Sequence, residues 1–169
     1  SGAIFQMTPE GVLTTLVNFN HSNGANPRGS LILSEDGNFY GLTVNGGNSG
    51  YGTAFKMTPQ GTLTTLVNFN YSNGRNPYGS LIQGSDGNFY GMTQSGGNSD
   101  YGTAFKMTPA GVITTLVNFN YSNGRNPQGS LMQGNDGDFY GMTQSGGNSG
   151  AGTVFKMTPA GVIETMVHF

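Results

Sequence analysis

Two loops of identical sequence, Asn-Tyr-Ser-Asn-Gly-Arg-Asn-Pro at residues 70–77 and 120–127, hold the side chains of this chain best suited to recognising a ligand. One presents Tyr71, Asn73, Arg75 and Asn76; the other presents Tyr121, Asn123, Arg125 and Asn126. A tyrosine ring can stack on the apolar face of a sugar, and amide and guanidinium donors can then reach its hydroxyls. Loops held by a rigid scaffold are common carriers of such groups. The same residues also suit a plain connection, because Asn, Gly and Pro are what a tight turn needs. Asn-x-Ser sequons begin at Asn20, Asn70 and Asn120, which makes these asparagines candidate glycosylation sites.

Other chemistry finds little support. His21 and His168 do not recur in the repeat and have no triad or metal-ligand spacing around them. Asp36, Asp86 and Asp136 fall in Asp-Gly turns, where a carboxylate caps its own backbone. Asp136 and Asp138 could contribute to a calcium site, but that ion needs several more oxygen ligands. No second acid recurs to make a glycosidase pair. Lys56, Lys106 and Lys156 recur on a strand, where they are solvated or pair with the aspartates. A net charge of −2 with six cations leaves no footprint for nucleic acid. There is no cysteine, and no run approaches the roughly 18 apolar residues of a membrane span. Near-identical repeats also lack the asymmetric acid, base and nucleophile that catalysis requires. The expectation is a non-enzyme with no cofactor, no metal, no nucleic-acid partner and no membrane insertion.

The elements that position the loops come from a repeat of 50 residues. Residues 51–100 and 101–150 differ at only eight positions, among them 78/128, 88/138 and 100/150. Phe55-Lys56-Met57-Thr58-Pro59 returns at 105 and 155, with a weaker copy at Phe5-Gln6-Met7-Thr8-Pro9. The run Asp-Gly-(Asn/Asp)-Phe-Tyr-Gly occurs three times, at 36, 86 and 136. One half-repeat is therefore present four times and the other three times.

Four short strands are expected in each unit, at about 52–58, 62–69, 80–83 and 88–93 in the second. Alternation puts Phe55 and Met57 on one face, and Leu63, Thr65, Val67 and Phe69 on one face of the next strand. Thr58-Pro59-Gln60-Gly61 turns the first pair, and Ser85-Asp86-Gly87-Asn88 turns the second as an Asp-Gly hairpin. No segment has helical periodicity. Abundant Gly, 8% charged residues and 11% aromatics placed periodically suit an all-β chain rather than a disordered one. The fold expected is a β-propeller-type repeat with four antiparallel strands per blade of about 50 residues, and about 3.5 blades per chain. The division is a half-repeat at 1–20 and blades at about 21–70, 71–120 and 121–169, in a single repeat domain 1–169. Blades pack face to face, which explains why the adjacent Phe89 and Tyr90 are both aromatic. A flat β-solenoid is the competing architecture, but its coils are shorter and lack two marked hairpin turns.

The series Gly-Thr-x-Phe-Lys-Met-Thr-Pro-x-Gly, Thr-Thr-Leu-Val-Asn-Phe, Asp-Gly-Asn-Phe-Tyr-Gly and Gly-Gly resembles the GloVer tandem repeats of bacterial proteins. The Asp-Gly-Asn-x-Tyr hairpin is similar to that of NHL and gluconolactonase-like propellers. In that comparison Gly79–Thr93 supplies a blade's inner hairpin and Gly52–Phe69 its outer one. The first unit departs from the pattern at Gln6 and at Val44-Asn45. The resemblance implies an extracellular or cell-surface repeat protein and carries over no catalytic residue.

The uneven count implies open blade edges, which invite pairing with another chain. Self-association into an oligomer or fibre is therefore expected, and two chains would supply about 28 strands, the number in seven blades. Both ends carry the same hairpin, so simple pairing does not supply the missing one. The leading expectation is a self-assembling structural or adhesive module; a multivalent glycan-binding propeller is the alternative. The chain opens on Ser1, as in a processed chain, an excised piece of a longer array or an engineered symmetric propeller fragment.

Overall fold

The computed structural model describes residues 1–169, which form fourteen strands and no helix. A two-stranded sheet comes first, β1 (Gly2–Met7) with β2 (Leu13–Phe19). Three four-stranded antiparallel sheets follow. The first holds β3 (Ile32–Leu33), β4 (Phe39–Thr43), β5 (Thr53–Met57) and β6 (Leu63–Asn68), paired in that order. The second repeats it with β7 (Ile82–Gln83), β8 (Phe89–Thr93), β9 (Thr103–Met107) and β10 (Ile113–Asn118). The third does so with β11 (Met132–Gln133), β12 (Phe139–Thr143), β13 (Thr153–Met157) and β14 (Ile163–His168). These are the blades of a propeller-type all-β fold, each a meander of an inner and an outer hairpin.

The core lies between blades rather than within them. Tyr40, Leu42, Ala54, Val67 and Phe69 of the first blade pack on Leu81, Phe89, Phe105 and Met107 of the second. The same positions one unit on, Tyr90 to Phe119, pack on Leu131, Phe139, Phe155 and Met157. Tyr40 stacks on Phe89 with ring centroids 4.1 Å apart, and Tyr90 stacks on Phe139 at 4.0 Å. Adjacent aromatics thus serve opposite faces of one blade. The hairpin β1–β2 buries Ile4, Val17 and Phe19, with half-buried Leu16, against Phe55 and Met57, and has no inner hairpin beside it.

Three local expectations change. The turn after β7 starts at Gly84, one residue earlier than the Asp-Gly pattern suggests: Gly87 N donates to Gly84 O at 2.9 Å. Only Gly87 takes positive φ, at 77°, so this is a type I turn closed by a left-handed residue, not a two-residue type I′ turn. Asp86 stays right-handed because its carboxylate is held by Asn88, Tyr90 and Lys106. Second, alternation along β6 breaks at a bulge. Phe55 pairs with Thr65 and Ala54 with Val67, leaving Leu66 unpaired between them. Leu66 and Val67 consequently both pack on apolar neighbours. Third, β7 is two residues long instead of four. The preceding backbone bonds to the next blade: Ser80 N donates to Ser130 Oγ at 2.8 Å, as Ser30 N does to Ser80 Oγ. Residues 29–30, 79–80 and 129–130 thus form a ladder where the inner edges of the blades converge.

Two apolar faces are open. Met92 and Phe119, 2% and 1% exposed, have counterparts Met142 and Phe169 at 60% and 54%. At the other end Phe105, fully buried, corresponds to Phe5 at 58%.

Candidate functional site

The loop after each outer strand closes on itself. Asn70 Oδ1 accepts from Ser72 N, Ser72 Oγ and Asn73 N at 3.0, 2.7 and 3.0 Å. Asn73 Oδ1 accepts from Asn70 N at 2.8 Å in return. The loop at Asn120 and Asn123 repeats every one of these bonds. At Asn20 the carboxamide oxygen accepts from Ser22 Oγ and Asn23 N. The three sequon asparagines are exposed, and their oxygens are turned inward to form the turn. Asn76 and Asn126 take left-handed φ of 54° and donate from Nδ2 to Val44 O and Gln94 O, across to the preceding unit. Of the eight ligand candidates, Asn73, Asn76, Asn123 and Asn126 are therefore committed to holding the loop. Tyr71, Arg75, Tyr121 and Arg125 remain as groups that can meet a ligand.

The two arginines differ. Arg75 Nε and Nη2 donate to Asp100 Oδ1 and Oδ2 at 3.1 and 2.8 Å, a bidentate pair. Its guanidinium lies between the rings of Tyr51 and Tyr71, 5.7 and 5.6 Å from their centroids. Arg75 holds the Asp100 carboxyl below the usual carboxylate range, and the Gly96 amide adds to this. Asp100 is replaced by Gly150 in the next unit, so Arg125 has the two rings, Tyr101 and Tyr121, without the carboxylate. The difference at 100/150 was visible in the sequence. Its pairing with a residue 25 positions away was not.

A second repeated constellation ties inner to outer hairpin. Tyr40, Tyr90 and Tyr140 donate to Oδ2 of Asp36, Asp86 and Asp136 at 2.9, 2.9 and 2.7 Å. Lys56, Lys106 and Lys156 reach the same oxygens at 3.1, 2.8 and 3.0 Å. Lys156 also meets Asp138 at 3.0 Å, so the cation between that pair is an ammonium. No group of three His, Cys, Asp or Glu side chains is placed to hold a metal. Burial raises the Asp36 and Asp86 carboxyls, but the donors around them outweigh it and hold both well below the ordinary range. The Tyr140 hydroxyl and then Lys156 bring Asp136 down to about 2.

A carboxyl with a depressed folded value contributes stability above its unfolded pKa, about 3.9, and loses it as pH falls through the folded value. Thermal stability should therefore be level from neutral pH down to about pH 5 and fall through about pH 4 to 2. Asp86→Asn should blunt that acid limb. A melting temperature unchanged between pH 7 and about pH 2 would contradict the assignment. Each pair is screened by solvent, so the acid limb should be shallow.

The histidines have structural places. His168 Nδ1 accepts from Asn148 N at 3.2 Å, as Asn68 and Asn118 accept from Asn48 and Asn98 through Oδ1. His21 takes a left-handed φ of 70° in the first loop.

The likeness to known proteins accords with this geometry. A protein assigned as a gluconolactonase, seen in an X-ray structure, superposes over 97% of this chain and 55% of its own, with TM-score 0.59 and 18% identity. The chain thus spans about half of that neighbour, and a likeness at this identity speaks for the fold alone. No curated protein sequence matches the chain. The model of the Gloeobacter/Verrucomicrobia repeat matches residues 1–169, and with its blades, turns and uneven half-repeats the chain belongs to that repeat family.

Proposed function

We propose that the chain is a non-enzymatic structural or adhesive repeat module, working outside the cell or at its surface, that associates with further copies of itself through its open blade faces. The pair of open apolar faces carries this reading. On the last blade Met132, Met142, Val154 and Phe169 line a groove of about 570 Å³. One unit earlier, Met92, Ala104 and Phe119 are the positions that the third blade covers. The opposite face, with Phe5 and Met7 on β1–β2, corresponds to Phe105 and Met107, which the first blade covers. A second copy therefore offers the outer hairpin of each face the surface it already accepts within the chain, while the inner hairpin missing beside β1–β2 stays open. The contact is head to tail; it closes a ring if the rotation allows and otherwise grows a fibre. At such a joint hairpin β1–β2 meets hairpin β13–β14, as β5–β6 meets β1–β2 inside the chain.

Light scattering should give a mass above 17.7 kDa, and Met142→Glu should return it to that value. A monodisperse 17.7 kDa species at about 100 μM overturns the reading. The glycan reading rests on exposed Tyr71 and Tyr121. Because only one of the two arginines lacks an internal carboxylate, the chain does not offer a series of equivalent sugar sites.

A further inference from the structure

The three units present one position in three states. In the first, Ala25 and Gly50 stand where arginine and aspartate could, and neither charge is present. In the second, Arg75 and Asp100 form the closed bidentate pair. In the third, the arginine is kept and the carboxylate is gone. Arg125 lies between Tyr101 and Tyr121, 5.7 and 5.3 Å from the ring centroids, opposite Gly150. Its Nε is the single buried side-chain polar atom of the chain without a hydrogen-bond partner. A buried donor attached to a charge does not go unpaired without cost.

The room for a partner is defined by the closed unit. A Cβ placed on Gly150 would come within 2.7 Å of the Tyr121 hydroxyl. That hydroxyl thus occupies the space that the Asp100 side chain takes one unit earlier. In the closed unit Asp100 accepts from both Arg75 nitrogens and from the Gly96 amide. Tyr121 is exposed, so its ring can swing aside for an arriving anion. A planar two-oxygen group matches the Nε–Nη2 edge of a guanidinium, and the tyrosine faces keep that cation oriented.

We propose that Arg125, with Tyr101 and Tyr121, binds the carboxylate of an external ligand, the vacant counterpart of the Asp100 site. The carboxylate can come from an acidic sugar or from an acidic amino acid; the chemistry recognised is the same. None of the three residues lines the open groove of the last blade, so this site stands apart from self-assembly.

The test is titration of the intact chain with D-glucuronate and with N-acetyl-aspartate amide, followed by NMR at the arginine Nε–H signals. Sodium chloride at equal ionic strength is the control. The Arg125 signal should move and saturate in the millimolar range with at least one of the two, and the tighter one names the source. Gly150→Asp should weaken the response about tenfold or more by filling the site internally. Asp100→Gly should create a matching response at Arg75. Both substitutions place residues that the repeat already accepts there, since Asp100 has φ 58° and Gly150 φ 82°. The proposal is overturned if Arg125 is unmoved by both ligands, if chloride moves it equally, or if Gly150→Asp responds like the parent chain.

Discussion

Gly79→Ala should destabilise the fold by about 3 kcal/mol, while Gly129→Ala, at the same place in the repeat, should leave the monomer unchanged. A Cβ on Gly79 would lie 2.1 Å from Gly129 O and 2.7 Å from its carbonyl carbon. Both are backbone atoms, so relief requires the two blades to separate where their inner edges meet. That separation strains the bond from Ser80 N to Ser130 Oγ and loosens the Tyr90–Phe139 stack. Neither glycine has positive φ, so alanine's backbone preference is not at issue. Gly129 has no atom within 4 Å of the added carbon because no blade follows it. At a joint with a second copy, β1–β2 takes the next slot and brings no glycine of this kind, so Gly129→Ala should leave assembly unchanged as well. Urea unfolding of the two variants at low concentration reads the difference. Equal destabilisation by both substitutions would refute the ladder.

How much of this was legible beforehand depends on whether a feature is local. Gly61 turns its hairpin as the Pro-x-Gly pattern indicates, and the Asp-Gly pattern located the second turn within one residue, because turn chemistry is set by neighbours in sequence. The Phe89–Tyr90 pair disclosed a strand buried on both faces. The bulge at Leu66 carries no residue signature of its own; leucine there looks like any strand leucine, and only the partner's register reveals it. The shortness of β7 arises because Ser80 bonds to a residue 50 positions away. The candidate loop was found by composition. Composition could not say that its asparagines face inward, nor that Asp100 silences Arg75 while Gly150 leaves Arg125 open. Both depend on which loop the scaffold lays beside which.

Phe105→Ala should cost about 3–5 kcal/mol, Phe55→Ala less, and Phe5→Ala under about 0.5 kcal/mol, though all three occupy one repeat position. Phe105 is fully buried and tilts against Phe69 with centroids 5.3 Å apart. A Cβ on Gly91 would lie 2.7 Å from its ring, so the repeat keeps glycine there to admit the phenylalanine. Truncation leaves a cavity that glycine cannot fill, flanked by blades that hold each other in place. Phe55 has the same ring beside Gly41, but its other side borders an open groove of about 250 Å³ left by the missing inner hairpin. The walls of that cavity are already partly wetted, and less contact is lost. Phe5 has no blade against it at all. Measured by urea unfolding at sub-micromolar concentration, the order should be Phe105, then Phe55, then Phe5. At concentrations where copies associate, the cost of Phe5→Ala should rise toward that of Phe105→Ala, because the same ring then meets a blade. A cost at Phe5 that is small at every concentration would mean that no copy covers this face, and the assembly reading would fail with it.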